Sequence, residues 1–155
     1  MPQIIQHIDA IARQKQRDVL FIVCGKQAVM NIMQEYSDGD VSDVEYFFAL
    51  SNDWKTSGNR PKVIDWLNAN DVKWQPCAGI ADVLVIEDGY AGAVYVDLPY
   101  DTTLPKYKKL EAFLEHSDGS RVFPDVLFCC LTLRLAMENT EHDEPGFWER
   151  WARNF

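Results

Sequence analysis

The chain has 155 residues, 47% of them hydrophobic and 12% aromatic, and a formal net charge of −9. That length suits one domain able to bury a core without disulfides or metal, and the composition excludes the disordered class. No apolar run reaches the roughly 20 residues that span a bilayer, and the acidic balance opposes binding to nucleic-acid phosphates.

The N-terminal Met-Pro-Gln-Ile-Ile-Gln-His-Ile-Asp lacks both the basic flank and the apolar block of a signal peptide, so a cytoplasmic protein is expected. Ile4, Ile5, Ile8, Ile11 and Ala12 then form one apolar face of a helix, with Gln, Arg and Lys opposite. Val19 to Cys24 is a continuous, β-branched apolar run ending at Gly25, which predicts a strand buried on both faces. Val29, Ile32, Met33 and Tyr36 predict a second helix, stopped by Ser37-Asp38-Gly39-Asp40. Glu45 to Ser51 is aromatic-rich and predicts a second strand.

After a polar loop, Pro61 stands at a first helical position, with Val63, Ile64 and Leu67 on one face and Asn70-Asp71 closing the helix. Val72 to Pro76, Val83 to Ile86 and Ala93 to Leu98 predict three strands, the last two joined by a loop carrying an Asp88-Gly89 turn signal. Thr103 is placed to cap a helix with Pro105 near its start and Tyr107, Leu110 and Leu114 facing inward; Ser117-Asp118-Gly119-Ser120 ends it. Val126 to Leu133 suits either a buried strand or a core helix, and Pro124 before it with β-branched and Cys residues within it favours the strand. Leu135-Ala136-Met137 begins a short helix, and Asp143 is placed to cap a last one begun by Pro145, with Phe147 and Trp151 on one face.

The order α-β-α-β-α-β-β-β-α-β-α has an α/β-like start, which favours a parallel core, and a later hairpin. The fold class expected is α+β: a single domain over 1–155, with a mixed sheet of about five or six strands and packed helices. The segment 140–155 is read as an acidic, aromatic tail docked on it, since disorder goes with few aromatics.

Several residues carry candidate chemistry, each with a plainer alternative. Cys24-Gly25-Lys26 lies where a buried strand meets a helix, the kind of position at which open sheets gather ligands and a helix N-terminus lowers a thiol's pKa. Cys24 and Lys26 are therefore candidate catalytic residues, but a phosphate loop needs more glycines and a hydroxyl where Gln27 stands. The plainer reading is a core cysteine ending a strand. Cys24, Cys77, Cys129 and Cys130 show no Cys-x-x-Cys spacing and read as free thiols.

His7, His116 and His142 form no metal-ligand spacing. His142 sits among Glu141, Asp143 and Glu144, which reads as a solvated acidic loop. Asp82, Glu87, Asp88, Asp97 and Asp101 crowd the hairpin region, but no Glu-x-Lys accompanies them, and turn and edge acids are the simpler account. Neither a metal nor a cofactor is expected.

Of the five tryptophans, Trp54 in a polar loop and Trp148, off the Phe147–Trp151 face, are the candidate interface anchors, with docking on the protein's own surface the plainer reading for both; Trp66, beside Leu67, reads as half-buried, and Trp74 belongs to a short strand. Charge is also uneven, with 8 Lys/Arg against 10 Asp/Glu in residues 1–77 and 7 against 14 in residues 78–155. Together these features point to a non-catalytic protein-binding module of inhibitor, immunity or regulatory type. Its contact residues would be Trp54, Glu141, Asp143, Glu144, Trp148 and Trp151, its partner a basic protein, with homo-dimerisation a further possibility. A small enzyme or ligand-binding domain centred on Cys24-Gly25-Lys26 is the alternative.

Overall fold

A computed structural model describes residues 6–26, 29–30, 53–79 and 92–153; of the side chains of Asp53, Trp148, Trp151 and Ala152 nothing is said. It has the α+β architecture expected, arranged in three layers around one sheet. The strands are β1 (Val19–Cys24), β2 (Trp74–Pro76), β3 (Val94–Val96) and β4 (Val126–Leu131), in the order β2-β3-β1-β4. The helices are α1 (Ile8–Lys15), α2 (Arg60–Ala69), α3 (Pro105–Leu114), α4 (Leu133–Ala136) and α5 (Phe147–Arg153). Two 3-10 segments, Asp53–Thr56 and Met137–Asp143, complete the described elements.

Strand β1 is central and buried along nearly its whole length, as its uninterrupted apolar run requires. Its side chains alternate between two cores. Val19 and Val23 pack with Ile8, Ile11 and Ala12 of α1, while Leu20, Ile22 and Cys24 pack with Val63 and Leu67 of α2 and with Leu110 and Leu114 of α3. Strand β4 alternates likewise, which leaves Cys129 half-buried toward α1 and Cys130 exposed.

The parallel core expected from the strand–helix–strand rhythm is replaced by antiparallel ladders. Among the described strands β1 pairs antiparallel with both β3 and β4, and β2 pairs antiparallel with β3. The rhythm still left its mark, because β3 and β4, joined through α3, run in the same direction. Strand β1 lies between them, so they share no ladder. Strand β2 runs parallel to β1 in the same interleaved way. The further strands predicted at 45–51 and 83–86, and the helix predicted from Val29 to Tyr36 beyond Met30, lie outside the described residues.

Local chemistry explains several shifted boundaries. Helix α1 begins only at Ile8, because His7 is extended and pairs in parallel with Ala78. Thr103 does not cap α3; the N-cap is Leu104. The Asp101 carboxylate instead accepts both the backbone N–H and the hydroxyl of Thr103, at 2.9 and 2.6 Å. Asp143 does not cap the last helix either, since its carboxylate is engaged elsewhere and α5 starts at Phe147. Thr132 caps α4 by accepting from the Leu135 N–H.

Candidate functional site

Residues 136–143 are fastened to α1 by an ionic network that is buried except at Asp143. Asp9 and Arg13 are one turn apart on α1, and both are buried, with Asp9 wholly inaccessible. The Arg13 guanidinium donates to Asp143 through Nε at 2.8 Å and Nη2 at 3.1 Å, a two-pronged grip on one carboxylate. Its Nη1 donates to Asp9 at 2.9 Å and to the Ala136 carbonyl at 3.0 Å. Asn139 Nδ2 donates to the same Asp9 oxygen at 2.9 Å. Burial works against the charge on Arg13, but the Asp143 and Asp9 carboxylates outweigh it and hold its pKa above the ordinary arginine value. An unaccompanied buried ion would be costly, so α1 and residues 136–143 are mutually dependent.

This corrects two expectations. Arg13 lies inside, not on the solvent face of α1. His142 is buried as well, its ring tilted by 30° against that of Phe147 with centroids 4.7 Å apart, so the loop is not uniformly solvated. Glu141 and Glu144 do face solvent, with Glu144 only 3.9 Å from Arg150 in an exposed pair. Asp143 is half-exposed, yet its carboxylate serves as the clamp. Beside these acids, Leu135 and Met137 stand out as large hydrophobics, each 41% exposed. The side chains of Trp148 and Trp151 lie outside the described residues.

Trp54 stands elsewhere. It belongs to the 3-10 segment before α2, where the Arg60 guanidinium lies 4.8 Å from its ring centroid and donates to the Gly92 carbonyl at 3.1 Å. Gly92 has φ of +86°, and a Cβ there would be driven into the Trp54 ring. This cluster is tied to the Cys24 end of the β1–β4 ladder, because Ser57 and Asn59 both donate to Asp125, whose carbonyl accepts from Gly25. The C-terminal segment is tied to the other end, where Asp18 accepts from the Leu133 N–H at 2.7 Å. Trp54 and the C-terminal acids therefore do not form one patch.

At the strand end, the Cys24 thiol is fully buried, and its pKa is pushed up to about 12, mainly by desolvation, with Arg60 opposing. This is a protonated core thiol, the reverse of an activated nucleophile. Lys26 is exposed. Asp125 loses stability as an anion through burial, but hydrogen bonds from Asn59 and Ser57 more than compensate and hold its carboxyl below the usual range. Among the described residues, no group of three or more His, Cys, Asp and Glu could hold a metal ion. No helix there is long and apolar enough to cross a membrane.

A groove of about 610 Å³ opens between α1 and β2 and continues round the sheet edge to the end of α2. Sequence reading placed Trp74 in a short strand and Asp97 as an edge-strand acid, and both line this groove. What it missed is their convergence with glutamines spread along the chain, which no local spacing signals.

Compared with protein-family models, curated proteins and solved structures, the chain matches none.

Proposed function

We propose that the protein acts by contact, as an inhibitor, immunity-type or regulatory module that binds a basic protein partner in the cytoplasm. The observation that carries this reading is the clamped C-terminal segment. Its inner side is fixed to α1 through Arg13, while Leu135 and Met137 and the carboxylates of Glu138, Glu141 and Glu144 are exposed. A surface fixed before binding loses little conformational entropy on association. Apolar side chains beside carboxylates supply the central burial and acidic rim that recognise a basic partner, and net charge of −9 speeds the encounter.

Relative to the patch expected from sequence, Trp54 drops out and Asp143 becomes structural. The contact set is then Leu135, Met137, Glu141 and Glu144, extended along α5, where Trp148 and Trp151 reside. The alternative of an enzyme at Cys24 gains no support from a thiol that is buried and held protonated.

The test is affinity capture from the native host with the full chain beside Met137→Asp and Glu141→Lys/Glu144→Lys variants. A stoichiometric basic protein retained by the wild type, released by salt and lost from both variants is the expected result. A captured protein that both variants retain equally would place the contact elsewhere. Capture of nothing but a second copy would replace the reading with self-association.

A further inference from the structure

We propose that the groove between α1 and β2 is a binding site for a small neutral polyhydroxylated ligand of the saccharide class. Its volume of about 610 Å³ lies within the usual range for small-molecule sites, roughly 300–1,000 Å³. Four carboxamides line it, from Gln6, Gln14, Asn68 and Gln75, together with the indole of Trp74. A carboxamide offers both donors and an acceptor, as does a hydroxyl, so the two pair without burying net charge.

Two of the groups are oriented in advance. Trp74 Nε1 donates to Asn68 Oδ1 at 2.9 Å, which turns the Asn68 amide so that its N–H donors remain for a ligand. Asp97 Oδ1 accepts from Arg17 at 2.9 Å and from the Tyr95 hydroxyl at 2.9 Å. Its Oδ2 accepts from nothing among the described residues and is left as an acceptor fixed in place. The half-buried Trp74 adds an apolar ring of the kind that covers the C–H face of a sugar.

Charge balance selects against ions. Lys15 and Arg17 lie 3.8 and 2.9 Å from Asp97, so its charge is already offset and a ligand cation gains little there. Lys73 and Asp71 balance one another in the remaining wall. The lining itself carries two cations, Lys15 and Lys73, and two carboxylates, Asp71 and Asp97, and in a chain of net −9 this even count favours hydrogen-bonding over ionic recognition.

The full chain is titrated with a panel of glucose, galactose, mannose, N-acetylglucosamine, maltose and lactose, followed by calorimetry and by ligand-observed saturation-transfer NMR. At least one is expected to bind in the millimolar range or tighter. Asp97→Asn, which keeps the shape and one acceptor oxygen, is expected to weaken that binding about tenfold, the loss that one charge-assisted hydrogen bond supports. Gln75→Ala, an exposed position, should weaken it while leaving the circular dichroism unchanged. Absence of binding across the panel would overturn the proposal. So would saccharide binding unaffected by both variants, or tighter binding of inorganic phosphate or acetate in the same titration.

Discussion

On the α2–α3 side of the sheet, Leu20, Ile22, Val94 and Val96 meet Val63, Leu67, Leu110 and Leu114, and aromatic pairs such as Trp66 stacked on Phe113 at 5.0 Å close the edges. On the α1 side the apolar core ends at Asp9 and Arg13, and closure is ionic, through Asp143, Asn139 and the Ala136 carbonyl. The first arrangement is tolerant, since hydrophobic groups of similar volume can replace one another. The second is not, because removing any member leaves another charge or dipole unmet. A chain that needs only a stable core has no use for the second kind. It makes physical sense where a terminal segment must be held in one register while its outer side stays polar.

Removing Arg13 should break this contrast most visibly. Arg13→Met strands Asp9 without its cation and should cost about 3–5 kcal/mol in urea unfolding. The Arg13→Met/Asp9→Leu double variant should recover part of that, and simple additivity of the two single losses would deny the coupling. On the apolar face, Leu67→Ala should cost about 3 kcal/mol through its cavity, with no special effect on the C-terminal segment.

Gly92→Ala should cost about 2 kcal/mol, since it combines a left-handed φ with a clash against Trp54, and a rise in Trp fluorescence change would report the displaced ring. Thr132→Ala removes the α4 cap and should cost about 1 kcal/mol.

The smallest effect concerns pH. Because burial raises the Cys24 pKa, its contribution to stability is complete below the ordinary thiol range and declines as pH rises from there toward about 12. The urea midpoint should therefore fall between neutral pH and pH of about 10. Thiol labelling sharpens the point: Cys130, exposed, should react first, and Cys24 and Cys77 only on unfolding. Fast labelling of Cys24 in the folded protein would contradict the account of that strand end.

Much of the fold could be read from local pattern. The run Val19 to Cys24, the Pro61 and Pro105 helix starts, and the inward Tyr107, Leu110 and Leu114 all follow from periodicity and backbone chemistry that neighbouring residues decide. Strand pairing did not follow, since adjacency in the sheet depends on contacts between distant segments, and β1 entered between β3 and β4. Side chains with two possible employments were also misplaced. Asp143 and Thr103 are both plausible caps, yet the first is held by Arg13, 130 positions away, and the second donates its hydroxyl to Asp101. The Asp9–Arg13 spacing was visible in sequence, but burial of that pair was not, because an i, i+4 ion pair on a helix is ordinarily solvated.

The central claim is that residues 136–143 are a fixed part of the domain, held through Arg13. Native-state hydrogen exchange of residues 133–153, compared between the wild type and Arg13→Met under conditions where both stay folded, tests it most directly. The account predicts protected amides over 136–143 in the wild type, with protection lost there in the variant while β1 and β4 keep theirs. Unprotected amides in the wild type, or protection that the variant retains, would contradict it.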